Sequence, residues 1–343
     1  MATFIYATSA ELRQIEQDKL PNLIAQRPIF EIMPIESVDA HILMWEQEDN
    51  YVGLQQIRGL NGQPPRVKKT GAKRYMMQPG VYGEYTTIDE LELTERRQWG
   101  TFGQPVSIDD LVMREQDRLL GRRLDRAEFI GWTLLTTGTF SISGPDGQVL
   151  HTDSFTLQTA SAAVPWATFA TATPLKDFRA VQLLSRGHSV NFGAAAKAYM
   201  NRVTFNNLVS NTNTNDLAGR RTSGLQSVLN LSEINSVMAG EDLPQIVIFD
   251  GGYLDEAGAF QPFIANSKVI IVGARTDGGR IAEYRMTRNA NNLNLEPGPY
   301  MEVIDRGAPG PGQQIPRTIE VHDGHNGGPV IYFPSAIVIL TVS

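Results

Sequence analysis

The most constraining stretch of this sequence is a helical period that continues for about eight turns and then gives way, with no linker, to an extended one. Ser107 followed three residues later by Asp110 supplies a side-chain oxygen cap and an acid at a helix N-terminus. Val112, Leu119, Leu120, Leu124, Ala127, Ile130 and Leu134 then fall on one face, with Arg114, Glu115, Arg118, Arg122, Asp125 and Arg126 opposite. The pattern stops at Gly138. Roughly 30 residues at ~1.5 Å each predict a rod of about 45 Å, where an ordinary helix has about 11–12 residues. Residues 139–143, a Gly-Pro-Asp-Gly turn at 144–147 and a second extended run to residue 157 predict a β-hairpin directly after it. Such a strut suits a subunit that spans a wall better than it suits an enzyme.

At 343 residues the chain can bury a sizeable core, and its length suggests about two domains. It contains no cysteine, which excludes disulfides, thiolate nucleophiles and cysteine-ligated zinc, and fits folding in a reducing cytoplasm. No signal-peptide pattern opens the sequence, and no apolar run approaches the ~18 residues of a membrane span. A soluble, unexported chain is expected. The net charge of −7 argues against a nucleic-acid clamp. Of the 30 basic residues only seven are lysine; the arginine excess reflects either carboxylate pairing between subunits or genomic base composition.

Residues 1–39 read as an arm, with a short helix from Ser9 to Leu20 and extended pieces after Pro21, Pro28 and Pro34. Residues 40–95 alternate in β fashion at both edges (41–45 and 87–93) around a polar, Gly- and Pro-rich middle. With too few apolar residues for its own core, this segment is expected to be a long projecting hairpin. Further on, helices are expected over 178–186, 194–209 and 232–239, and fully apolar strands over 245–249 and 268–272. Residues 296–316, with five prolines, read as a long loop. Three β runs close the chain: 318–321, 330–333 and 336–342. Helices and strands mix without a βαβ rhythm and without internal repeats, which makes the class α+β.

The search for chemistry returns only weak candidates. Gly187-His188-Ser189-Val190-Asn191 nearly matches a nucleophile elbow, but Asn191 stands where the turn needs glycine and helix, not strand, is expected before it. His322-Asp323-Gly324-His325 offers metal-type donors at a spacing that fits no common ligand motif. A Gly-rich surface turn explains it better, leaving His325 exposed. Asp250 follows an apolar strand as an aspartyl phosphotransfer nucleophile would, yet Gly252 replaces the second acid, so a turn is the better reading. No phosphate-binding loop follows a strand. No catalytic, cofactor or metal residue is assigned, and no enzyme activity is expected.

One charged cluster remains. Arg66, Lys68, Lys69, Lys73 and Arg74 sit in the middle of the expected hairpin, where they could touch nucleic acid, form a solvated tip, or meet acids of a neighbouring subunit. The last is favoured, with Asp89, Glu90, Glu92 and Glu95 as the acidic counterpart that every copy carries.

In this order, arm, hairpin, long helix, hairpin, mixed body and terminal strands, the chain resembles the major capsid proteins of tailed bacteriophages, and among them the phage-lambda-type major head protein family. Residues 76–97 resemble that family's return strand of the extended loop, and 114–147 its spine helix and following hairpin. Residues 245–273 resemble its strand, turn and strand run, with Asn266 where an acid is usual, and 317–343 its closing strands. The resemblance implies the HK97-like fold: an N-terminal arm (1–39), an extended loop (40–95), a peripheral domain (96–178 and 296–333) and an axial domain (179–295 and 334–343). It implies an icosahedral virion head, of triangulation number seven by family habit, built of pentamers and hexamers in the host cytoplasm around double-stranded DNA. Scaffolding, portal and decoration proteins are the implied partners, with DNA contacted on the inner face without sequence specificity and no membrane involved. An encapsulin-type nanocompartment shell shares the fold and is the alternative; a soluble hydrolase is the more distant one.

Overall fold

The structure is a computed structural model, and it describes residues 9–48, 54–66, 71–95, 103, 106–143, 148–217, 229–255, 257–292, 295–306 and 318–343. The long helix runs Ile108–Thr137, 30 residues. Ser107 Oγ accepts the Asp110 N–H at 3.1 Å, and Gly138 ends the helix in the left-handed region at φ 73°, donating its N–H to the Leu134 carbonyl. Contacts group the chain into two compact units, Met1–Leu43 with Gln78–Ile130 and Glu283–Pro329, and Met44–Met77 with Gly131–Ala282 and Val330–Ser343.

In the first unit a five-stranded sheet lies beside the long helix. Its order is Ile35–Ser37, Ala282–Thr287, Ile319–Ile331, Tyr300–Asp305, with Gly80–Ile88 also paired to Ile319–Ile331. Leu111, Val112 and Leu119 from the helix pack on Ile88, Met301, Ile319 and Val321 from the sheet. The helices Ser9–Ala25, Ile29–Ile32 and Glu90–Glu95 belong here too.

The second unit is built on a mixed five-stranded sheet of order Gln245–Ile248, Lys197–Met200, Lys268–Val272, Ile337–Thr341, Gln158–Ser161. Phe178, Phe205, Leu208, Ile234 and Met238, from three short helices, share a core with Ala198, Met200, Val269, Ile271, Val338 and Leu340 of the strands. Trp132 meets Tyr199 edge-on at 5.5 Å and stacks on Phe249 at 4.9 Å. Burial on both faces accounts for the apolar runs of Lys268–Val272 and Ile337–Thr341. The predicted hairpin after the long helix pairs Thr139–Ser143 with Val149–Ser154; its turn at 144–147 lies outside the described residues.

Several expectations are corrected. The arm helix continues through Pro21 to Ala25; Pro21 and Gln17 are both exposed, so water can satisfy the carbonyl that the proline leaves unbonded. Residues 87–93 are not one strand: the strand ends at Ile88 and a helix, Glu90–Glu95, follows. The helix expected over 194–209 is a strand, Lys197–Met200, then a helix, Arg202–Val209, capped by Asn201, whose Oδ1 accepts the Thr204 N–H at 2.9 Å. A short apolar run buried on both faces carries no period that separates strand from helix. The expected loop at 296–316 contains the strand Tyr300–Asp305, while Pro309, Pro311 and Pro316 lie outside the described residues.

The largest correction concerns the expected turn at 322–328. Ile319–Ile331 is one continuous 13-residue strand. Its glycines admit neighbours instead of bending the chain: a Cβ on Gly324 would lie 2.5 Å from the Tyr82 carbonyl oxygen and 2.6 Å from the Tyr300 ring, and one on Gly327 would lie 2.6 Å from the Arg285 carbonyl oxygen.

Candidate assembly surface

The segment expected to project begins as a pair of strands, Leu43–Glu48 and Ala72–Met77. Period-two alternation fixes its root. Trp45 and Met77 are buried, while Met44 and Met76 between them and their neighbours face out. The Trp45 indole donates to the Ile331 carbonyl at 2.8 Å and stacks against Tyr75 at 5.5 Å and Phe155 at 6.0 Å. An aromatic anchor of this kind holds a hairpin that has little core of its own.

Beyond the root, residues 54–66 carry no helix or strand, and Leu54, Ile57 and Leu60 are 93%, 98% and 100% exposed. In the sequence the polar average of the segment hides this apolar trio. The i, i+3, i+6 spacing of three large aliphatics within it was the available signal.

Of the predicted basic cluster, Arg66 and Lys73 are exposed, and Lys68 and Lys69 lie outside the described residues. Arg74 pairs with Glu46 of its own hairpin at 2.5 Å, with both side chains more than half exposed. In so wet a position the pair contributes at most about 1 kcal/mol. Among the acids, Asp89 is engaged as a cap, its Oδ1 accepting the Glu92 N–H at 2.8 Å at the start of the Glu90–Glu95 helix. Glu92 and Glu95 sit on that helix, and the Glu90 side chain lies outside the described residues.

The enzyme-like motifs resolve into structural roles. Ser189 is exposed beside the two-residue strand Val190–Asn191, and Asn191 Oδ1 accepts the Gly193 N–H at 2.8 Å. Asp250 accepts the Arg202 N–H at 2.6 Å. His322 bonds Glu320 at 2.9 Å and stacks on Tyr85. Contrary to the expected exposed turn, Asp323 and His325 are buried on the strand face beside the long helix. Asp323 pairs with Arg123 at 2.5 Å, yet burial outweighs that pairing and pushes its carboxyl up to about 6. His325 Nε2 meets the Tyr284 hydroxyl at 2.9 Å and its ring stacks on Tyr82. Burial, with the Arg123 and Arg126 charges nearby, holds its imidazole down to about 3, so it is neutral at physiological pH. Among the described residues no three His, Asp or Glu side chains gather as a metal site, and no helix is long and apolar enough to cross a membrane.

The described architecture is a mixed α+β fold with a 30-residue helix and a hairpin anchored by Trp45. The chain belongs to the phage major capsid protein E family, whose model matches residues 9–306. It is thus a structural protein of a phage capsid, the shell that encloses the genome, and not an enzyme. No curated protein matches it. Among solved structures, a prophage protein of E. coli CFT073 described as a capsid protein is 14% identical, with 95% of this chain and 98% of that one covered at a TM-score of 0.55. A phage-related protein of Bordetella bronchiseptica RB50 is 10% identical, with 94% and 96% covered at a TM-score of 0.54. The shared fold is HK97-like.

Proposed function

We propose that this subunit builds the pentamers and hexamers of an icosahedral head, with the Ile108–Thr137 helix as the spine of its wall. In this reading residues 1–39 are the arm, 40–95 the extended loop, 96–178 with 296–333 the peripheral domain, and 179–295 with 334–343 the axial domain. These functional segments cut across the compact units because the long helix runs through both. Assembly takes place in the host cytoplasm with scaffolding, portal and decoration proteins, and the finished subunit resides in the virion with its inner face against double-stranded DNA.

The contact that joins neighbours is the extended loop. The observation that carries this is the near-complete exposure of Leu54, Ile57 and Leu60, three large apolar side chains that the described parts of the chain leave uncovered. Arg66, Lys68, Lys69, Lys73 and Arg74, from the same segment, add charge for Asp89, Glu90, Glu92 and Glu95 of the next subunit, Arg74 exchanging its Glu46 pair on assembly. Each such pair is weak, but a closed shell repeats it in every copy. Co-expression with the phage's scaffolding protein followed by electron microscopy is expected to give closed particles. A stable monomer as the sole product would refute the reading, and triple substitution of Leu54, Ile57 and Leu60 by Ser is expected to stop assembly while leaving the circular dichroism spectrum unchanged.

A further inference from the structure

A surface helix normally docks through an apolar stripe. In the helix Ser9–Ala25 that stripe is only half-buried, at Ile15, Leu20, Leu23 and Ile24, and from residue 14 to residue 25 the one buried side chain is Glu16. Glu16 is ion-paired to Arg123 of the long helix, and the second amino group of that guanidinium holds Asp323 of the Ile319–Ile331 strand at 2.5 Å. The three side chains are 7%, 4% and 3% exposed. Among the described residues, ion pairs add further ties to the long helix: Lys19 to Asp117 at 2.6 Å, and, just past the helix, Arg27 to Asp125 at 2.6 Å and to Glu128 at 3.2 Å. Continuous apolar anchoring starts only at Ile29, Phe30, Ile32 and Met33, all buried.

We propose that residues 9–25 are an electrostatic latch, docking on and leaving the long helix as one piece about the turn at 26–28, with Arg123 shared between Glu16 and Asp323 as the catch. The charge count gives the latch its direction. Docked, one buried guanidinium serves two carboxylates. Released, Glu16 returns to water and Arg123 keeps Asp323 in a balanced pair, so neither of those two charges is left uncompensated.

The Glu16 charge is one of the causes that raise the Asp323 carboxyl, so that carboxyl holds its proton more tightly when the latch is closed. By linkage, acidification through about 6 favours docking and alkali favours release. The surroundings do not compete in that range. On the long helix, Arg122 is engaged by Glu84, the cross-strand neighbour of Asp323. On the sheet, His325 stays neutral, and burial keeps the Tyr82 and Tyr284 hydroxyls protonated. Glu302 and Asp305 stand on the strand against which the arm helix packs. Salt weakens the exposed Lys19–Asp117 pair and favours release as well.

Hydrogen–deuterium exchange on the full chain tests this, after correction for the intrinsic pH dependence of exchange. Protection of residues 14–25 is expected to fall between pH 5.5 and 8, as the linkage requires, and to fall further with added salt. Protection of 111–135 should stay constant. Asp323→Asn, which removes the surplus charge and keeps the shape, should hold the arm protected at pH 8; the long-helix protection reports whether that variant is folded. Should it not fold, Lys19→Ala on the exposed pair should raise arm exchange at every pH. Protection of 14–25 that is indifferent to pH and salt, or arm and long-helix amides exchanging together, would overturn the latch, as would an Asp323→Asn arm that still responds to pH.

Discussion

Leu120 and Leu124 lie one turn apart on the long helix and are 1% and 0% exposed, whereas Arg122 between them points outward to Glu84. Leu124→Ala is therefore expected to cost about 2–5 kcal/mol through the cavity it leaves. Arg122→Ala should cost no more than about 1 kcal/mol, since its ion pair is exposed; equal shifts of the two denaturation midpoints would mean that the helix face is misassigned. Gly324→Ala drives a methyl group into the Tyr82 carbonyl and the Tyr300 ring, for which overpacking predicts a loss of about 1–3 kcal/mol. An effect below ~0.5 kcal/mol, as at an exposed turn, would restore the turn reading. His325→Ala likewise changes from an innocuous surface substitution to a destabilising one, because it opens a buried site and leaves the Tyr284 hydroxyl without its imidazole partner. Ser189→Ala, at an exposed position, is expected to be silent in both stability and particle yield.

At the level of elements, legibility follows the kind of signal each one carries. The long helix was readable end to end because 30 residues average out local exceptions and because Ser107 and Gly138 punctuate it with their own chemistry. Arg123 and Glu128, charged residues buried on that helix, were not readable, since their partners lie elsewhere in the sequence: Glu16 and Asp323 for the one, Arg27 for the other. Glycine misled at 324–328, where the chain is straight and its neighbours come close. At the hairpin, the basic residues were visible but their partners were not, and Arg74 turns to Glu46 beside it. For that element the expected outcome is that Lys68→Glu, Lys69→Glu and Lys73→Glu together leave the subunit folded by circular dichroism yet lower particle yield, most at low ionic strength, where like charges are least screened. Normal yield at low salt would make the cluster a solvated tip.

For the molecule as a whole, two buried groups set opposing dependences on pH. Asp323, raised from 3.8 to about 6, keeps in the folded chain a proton that the unfolded chain releases, so its contribution to stability grows as pH falls from 6 toward 4. His325, lowered from 6.5 to about 3, refuses a proton that the unfolded chain accepts, so its contribution is lost over nearly the same range. Their near-cancellation predicts that this pair leaves urea stability almost flat between about pH 4 and 6. Replacing His325 by Gln removes one side of the balance, and the variant, measured against its own value at pH 7, should become more stable as it is acidified to about pH 5. A further loss there would show that Asp323 does not hold the proton.

The places where the chain passes between its two compact units have a consequence for how the protein can be taken apart. Of the five passages, those at residues 43–44, 130–131, 282–283 and 329–330 fall inside a strand, the long helix, a strand and a strand, and the fifth, at 77–78, falls at a strand's last residue. Neither unit can be excised cleanly, because four of the five boundaries lie within a hydrogen-bonded element that belongs to both. A gene fragment covering either unit would carry half a helix or half a strand at its ends, and so should give no cooperative melting transition by itself. The same feature argues against modular inheritance: recombination that exchanges one unit between relatives must break four regular elements at once, so this subunit is expected to evolve and to fail as a single piece.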